Sequence, residues 1–233
     1  VIPEGVVSIE SYVFKGCSSL TSIELPSTLT SIENQAFSGC SSLTKVTFKE
    51  GSQLTSIGSN AFEGCSSVTN ITLPNTLIIE YGAFKGCSSL ISVVIEEGLQ
   101  LTSIGTYVFK DCSSLTNITL PSTLTNIEHG AFEGCSSLTS IELPSTLTSI
   151  GSSAFWYCSS LISVVIEEGS QLTSIGWFAF SGCSSLTSIV IPESVTSIGD
   201  RAFSGCSSLT SITLPSTLTS ISSYAFEGCS SLQ

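Results

Sequence analysis

Cysteine recurs at positions 17, 40, 65, 87, 112, 135, 158, 183, 206 and 229, at intervals of 22 to 25 residues with 23 the commonest. A period of that length marks a chain built from one supersecondary unit stacked on copies of itself, and it constrains the fold more than any other feature here. Each of these cysteines is followed by Ser-Ser, and the stretch Cys17–Ile32 recurs letter for letter at Cys135–Ile150.

Read from Leu20, the unit runs LTSIELPSTLTSIENQAFSGCSS. Leu20, Ile23 and Leu25 have the spacing of a short strand in which Ile23 and Leu25 point inward while Ser22 and Glu24 point out. Pro26 lacks the N–H that a longer ladder needs, and it turns the chain. Leu29 and Ile32 lead a second short extended segment, and Ala36-Phe37 with Gly39-Cys40 predict a compact helical turn that closes the coil. One such coil cannot offset its own ordering entropy, but stacking buries both of its faces. Strands in adjacent coils pair at about 4.8 Å, so about ten coils make a parallel sheet and a rod roughly 50 Å long. The expectation is one solenoid over residues 1–233, an α/β repeat. Val1-Ile2-Pro3 matches Val190-Ile191-Pro192 and no polar capping repeat is visible, so the chain reads as a fragment of a longer array. Three units carry extra residues, KEGSQ before Leu54, EEGLQ before Leu101 and EEGSQ before Leu172, which read as loops along one edge.

The Ala-Phe-x-x-Cys core, with Gly before the Cys and Ser-Ser-Leu after it, resembles the BspA-like, Treponema-type subclass of leucine-rich repeats. The likeness runs from Val13-Phe14 to Ala225-Phe226. It departs at Asp111 and Tyr157, which replace the Gly, and in the shortened unit Thr76 to Gly82; these are expected to disturb single coils. The resemblance implies a leucine-rich-repeat solenoid with its parallel sheet on the concave face. It also implies an extracellular or cell-surface location, either secreted or surface-bound, and a non-catalytic, adhesin-like role toward a host or extracellular-matrix protein. Nothing in the periodicity itself shows adhesion.

Charge and composition exclude several classes. With 18 Asp and Glu against 6 Lys and Arg, the net charge of -12 repels phosphate backbones and anionic headgroups. Lys15, Lys45, Lys49, Lys85, Lys110 and Arg201 are scattered, so no basic patch offers a nucleic-acid site. No apolar run is long enough to span a membrane, so direct insertion is not expected of this stretch. The cysteines read as buried thiols acting as small hydrophobes. Equivalent residues about 4.8 Å apart with parallel Cα–Cβ vectors suit neither a disulfide nor a four-ligand zinc site, and no metal or cofactor is expected. His129, the only histidine, falls where the copies vary and lacks an oriented acid partner, so no enzyme is expected. The acidic pairs Glu96-Glu97 and Glu167-Glu168 supply too few ligands for calcium. Asn-Ile-Thr at Asn70 and Asn117 forms two candidate N-glycosylation sites on outward strand positions.

Where the copies disagree is more informative. Two residues just before the Ala-Phe or Val-Phe step change in nearly every unit, among them Ser11-Tyr12, Tyr81-Gly82, Thr106-Tyr107, Trp177-Phe178 and Ser223-Tyr224. Trp156-Tyr157 replaces the pair just before a Cys. Positions that vary in so uniform an array should face solvent, and exposed aromatics are favoured as contact anchors. Tyr12, Tyr81, Tyr107, Trp156, Tyr157, Trp177, Phe178 and Tyr224 are therefore the candidate partner-binding residues. The outward strand columns, by contrast, are monotonous Ser, Thr and Val, with few anchors. The reading is a protein-binding scaffold; its rival is a spacer or filament that self-associates by end-to-end stacking.

Overall fold

The computed structural model describes residues 1–74, 78–95 and 101–233. The repeat folds as expected into stacked coils, about nine full turns, each giving one short strand to each of two parallel walls. The first wall takes strands such as Ser22–Leu25, Lys45–Phe48 and Ser140–Leu143; the second takes two-residue strands such as Ser8–Ile9, Ser31–Ile32 and Ser149–Ile150. Every pairing is parallel and joins one coil to the next. Ser22 faces Lys45 and Ile23 faces Val46, and Ile9 faces Ile32, so each residue type meets its own equivalent. A repeat stacked in register therefore builds its core as ladders of like residues.

Neither wall is continuous. The first divides into sheets of two, three and four strands, with breaks between Lys45–Phe48 and Asn70–Leu73 and between Asn117–Ile118 and Ser140–Leu143. The second breaks between Ile78–Ile79 and Ser103–Ile104. Of the inserted segments, the one at 49–53 precedes the first of these breaks and the one at 167–171 is tied back by Glu167, whose carboxylate accepts the Ser145 N–H at 2.8 Å. EEGLQ at 96–100, with Glu96-Glu97, and Asn75 to Leu77 of the shortened unit lie outside the described residues.

The third side corrects the expectation of a helical turn, and with it the α/β assignment: among the described residues there is no helix, and the molecule is a β-solenoid. The reason is backbone handedness. In each coil the residue before Ala-Phe and the residue before Cys both sit at positive φ, as Gln35 at 55° and Gly39 at 74° illustrate. Two left-handed residues four apart prevent a run of right-handed ones. They instead swing alternate N–H groups along the stack, so that Gln35, Phe37 and Gly39 donate to the carbonyls of Ser59, Ala61 and Glu63 at 2.9, 2.8 and 2.7 Å. The same three bonds recur at every junction from Tyr12, Phe14 and Gly16 to Arg201, Phe203 and Gly205, all between 2.7 and 3.1 Å. This turn wall is the one hydrogen-bonded ladder that runs unbroken through the described coils.

Inside it, ten phenylalanines from Phe14 to Phe226 stack with ring centroids 5.0 to 5.7 Å apart and planes within 17° of parallel. The cysteines lie beside them as free thiols. Cys40 and each later cysteine point Sγ at the carbonyl of a Phe one coil earlier, as in Cys135 to Phe109 and Cys158 to Phe132, both at 3.2 Å. The thiol thus serves as a small hydrophobe that also supplies a weak donor. Eight cysteines are buried, Cys229 is half-buried and Cys17, in the first coil, is exposed. Threonine hydroxyls extend the same habit to the surface: Thr148, Thr173, Thr196 and Thr219 each donate to the carbonyl of the equivalent Thr one coil back, at 2.9 to 3.3 Å.

Candidate functional site

The turn wall carries the variable residues. Its backbone requirement limits them more than their variety suggests, because the second residue of each pair is left-handed in every coil: Tyr12, Gln35, Asn60, Gly82, Tyr107, Gly130, Ser153, Phe178, Arg201 and Tyr224 all have φ between 51° and 67°. A non-glycine residue there costs about 1–2 kcal/mol. The signal was present in the sequence, since Asn60, Gly82 and Gly130 are the types that tolerate this conformation best. Asp111 and Tyr157, which replace Gly in the other left-handed column, keep φ at 59° and 57° and still donate to Glu133 and Ser181. Their coils are not disturbed.

Five of the eight candidate aromatics, Tyr12, Tyr81, Tyr157, Trp177 and Tyr224, are exposed; Tyr107, Trp156 and Phe178 are half-buried by their neighbours. They form three groups. Tyr12 stands in the first coil with the Lys15 ammonium 5.3 Å from its ring centre. Tyr81 meets Tyr107 edge-on at 5.6 Å, and the Tyr107 hydroxyl lies 2.7 Å from His129 Nε2, with Lys110 4.8 Å from the Tyr107 ring. His129 is thus an exposed ring held by a phenol. The third group is the largest. Trp156 packs on Tyr157 at 5.1 Å and on Phe178 at 6.2 Å, and the Arg201 guanidinium then lies between Phe178 at 5.7 Å and Tyr224 at 4.4 Å. The expected four-residue patch is brought together for three of its members. Trp177 stands beside them without a ring–ring contact among the described residues, seated instead on the next coil, where a Cβ on Gly199 would come within 2.8 Å of its Cδ1. Tyr157 is seated likewise over Gly182, at 2.7 Å.

Charge on this wall is paired along the stack. Lys85 bonds Glu63 at 3.2 Å, Lys110 bonds Glu133, and Arg201 reaches both Asp200 and Glu227 at 3.4 Å. The more exposed pairs, those of Lys85 and Arg201, contribute roughly 0–1 kcal/mol each and chiefly fix side-chain positions. In the interior, burial pushes the thiols up, Cys65 and Cys206 to about 12. These thiols have no nucleophilic character at neutral pH.

The first wall offers a different surface. Its outward column is exposed or half-exposed Ser, Lys and Asn, and where the ladder breaks after Lys45–Phe48 an open cleft of about 750 Å³ lies between that strand and Asn70–Leu73. Lys45, Thr47, Asn70 and Thr72 line it. Asn70 and Asn117 are both exposed; Asn70 accepts the Ser92 hydroxyl at 2.6 Å, and Asn117 reaches Thr116 Oγ1 at 3.5 Å. Among the described residues no three His, Cys, Asp or Glu side chains gather where they could hold a metal ion, and no helix is long and apolar enough to cross a membrane.

Comparison with known proteins adds the following. The sequence matches the family described as "BspA type leucine rich repeat region" in six copies over residues 1–113, 78–176 and 102–233. No curated protein matches it. Among solved structures, it is similar to a leucine rich cell surface protein of Faecalibacterium prausnitzii, at 29% identity and a TM-score of 0.61, over 100% of this chain and 84% of that one. A leucine-rich repeat protein of Eubacterium ventriosum is similar at 25% identity and a TM-score of 0.59, over 99% and 76%. The leucine rich repeat protein of T. pallidum is similar at 28% identity and 0.52, over 79% and 74%.

Proposed function

Since this chain belongs to the BspA-type leucine-rich repeat family, we propose that it is a non-catalytic scaffold that binds another protein through the aromatic edge of its turn wall. The observation that carries this reading is the placement of the variable residues. They project from the one backbone ladder that is unbroken at every described coil junction, so their spacing is fixed before any partner arrives, and preorganised anchors lose little entropy on binding. Trp156, Tyr157, Trp177 and Phe178 form the densest group and are the anchors. A place on the cell surface is supported by the likeness to a cell surface protein, and the role that goes with it in this reading is adhesin-like, outside the cell or on its surface, toward a host or extracellular-matrix protein. Asn70 and Asn117 are exposed strand positions to which a glycan would attach if the chain passes through a glycosylating secretory pathway.

The test replaces each anchor with the residue other coils use at the same place: Trp156→Ser, Tyr157→Gly, Trp177→Ser and Phe178→Ser. Binding to an immobilised extracellular-matrix protein should weaken by at least about 2 kcal/mol, with the unfolding midpoint nearly unchanged. Undiminished affinity with intact folding would refute the edge and move the contact to the first wall. Wild-type rods that lengthen with concentration in size exclusion and negative stain, and bind nothing, would refute the scaffold reading in favour of end-to-end self-association.

A further inference from the structure

The chain's own cations show what these rings accept. Of only six Lys and Arg residues, three lie over aromatic faces of the turn wall: Lys15 on Tyr12, Lys110 on Tyr107, and Arg201 on both Phe178 and Tyr224. In the first two cases the cation comes from three residues further along the same coil, and it is held in turn by the next coil, Lys15 by Gln35 at 2.6 Å and Lys110 by Glu133. Seven of the ten coils lack a Lys or Arg at that place, the two that carry the largest aromatic group among them. Trp156 occupies the cation's place in one and Ser181 in the next. Tyr157 and Trp177, 58% and 64% exposed, lie outside the column that those cations cover and have no cation over them among the described residues. Each is nonetheless fixed from below, by the Gly182 and Gly199 seats. Asp200 follows directly on the Gly199 seat with its carboxylate half-exposed, and the whole chain carries a charge of -12.

We propose that the open faces of Tyr157 and Trp177 receive the guanidinium or ammonium groups of a basic segment of the partner protein. That segment supplies from outside the cation that Lys15, Lys110 and Arg201 supply from within. The proposal rests on the aromatic edge being the binding surface, and it names the chemistry that surface selects. A ring quadrupole attracts a cation held over its face, and the attraction grows as water is excluded between them. The acidic surface draws such a segment in at long range, and the rings give it a defined seat. Neutral partners that stack on aromatics, a proline-rich peptide or a glycan, would not depend on the charge.

Both tryptophans of the chain, Trp156 and Trp177, belong to this group, so intrinsic fluorescence reports it alone. The probes are an alternating Arg-Gly octapeptide, its Lys counterpart, and a counterpart in which citrulline, the uncharged isostere, replaces Arg. Arg and Lys peptides should shift the emission and saturate, the citrulline peptide should bind about tenfold more weakly or worse, and neither should bind a Tyr157→Gly/Trp177→Ser variant followed by calorimetry. That variant keeps the net charge, so a purely diffuse attraction to the acidic surface would leave Arg-peptide binding intact and overturn the proposal. Equal binding of the citrulline and Arg peptides would overturn it as well. Either result is distinct from failure of the edge itself, which is read from the four-residue variant against the protein ligand.

Discussion

Alkaline pH should dismantle this array far more steeply than an ordinary domain of its size. Of the eight enclosed thiols, seven, Cys65, Cys87, Cys112, Cys135, Cys158, Cys183 and Cys206, are raised furthest. Burial holds each well above the usual thiol value, Cys65 and Cys206 at about 12. In the unfolded chain the same groups ionise at about 8.5. Above that pH the unfolded state releases protons that the folded state keeps, so stability is whole below about pH 8.5 and falls as pH rises toward the folded values. Each thiol contributes about 1.4 kcal/mol of loss per pH unit across that window, and seven together about 10 kcal/mol per unit. A chain this long has a stability on the order of 12–35 kcal/mol, so one to three pH units suffice to unfold it. Urea unfolding followed by far-ultraviolet circular dichroism, with a phosphine reductant present, reads the loss directly between about pH 8 and about pH 10. Replacing Cys135 with Ala should shallow the slope by about 1.4 kcal/mol per unit. A total fall below about 2 kcal/mol over that interval would refute the reasoning, because the thiols would then titrate alike in both states.

Four further outcomes follow from the same packing. Alkylation of the folded chain should modify Cys17 quickly, Cys229 slowly and the eight buried cysteines hardly at all, whereas in denaturant without reductant all ten should react; pairs that resist would reveal disulfides. Phe132, enclosed between Phe109 and Phe155, should cost about 3–5 kcal/mol on truncation to Ala, and half-buried Phe226, stacked on Phe203 alone, distinctly less; equal losses would mean one cooperative globule. Asp111→Gly should be neutral to mildly stabilising, since relief of about 1–2 kcal/mol of left-handed strain outweighs glycine's entropy of about 0.5–1 kcal/mol. Gly130→Ala should destabilise, because its Cβ would collide with the Tyr107 ring; a midpoint unchanged by that substitution would show the ring to be free to move away.

The coil, its inward Ile, Leu, Phe and Cys, its two strand walls and the identity of the repeat family were legible because they recur, and recurrence separates what packing fixes from what it does not. The third wall was misread for a physical reason. Ala-Phe-x-Gly-Cys has the composition of a short helical turn, and only the backbone shows that residues such as Gln35 and Gly39 are left-handed, sending N–H groups to the next coil. The breaks in the strand walls were invisible too, since Lys45–Phe48 and Asn70–Leu73 both have good strand patterns yet do not pair. As for the proposed binding edge, the sequence put its aromatics at variable positions, where five of the eight are exposed, but could say nothing of the cations over them, which come partly from other columns and other coils.

The variable columns are constrained along the stack as well as within each coil. Compared column by column, Trp177 is simply a large residue where most copies have a small one. Compared along the stack, it and two other rings each have a glycine under them: Tyr107 over Gly130, Tyr157 over Gly182 and Trp177 over Gly199. A Cβ at any of these glycines would strike the ring above it, so the size tolerated in one coil is set by a residue a full turn further on. Gly182 and Gly199 are residues that many coils carry at those places, so the repeat supplies their seats, whereas Gly130 has a counterpart only in Gly82. The pairing also decides energetics, because a ring resting on backbone loses its rotational freedom when the coil folds rather than when a partner docks. An exposed aromatic without a seat would search rotamers in water and give back part of its contact energy on binding. Tyr107, Tyr157 and Trp177 each lie against such a seat, which limits that loss.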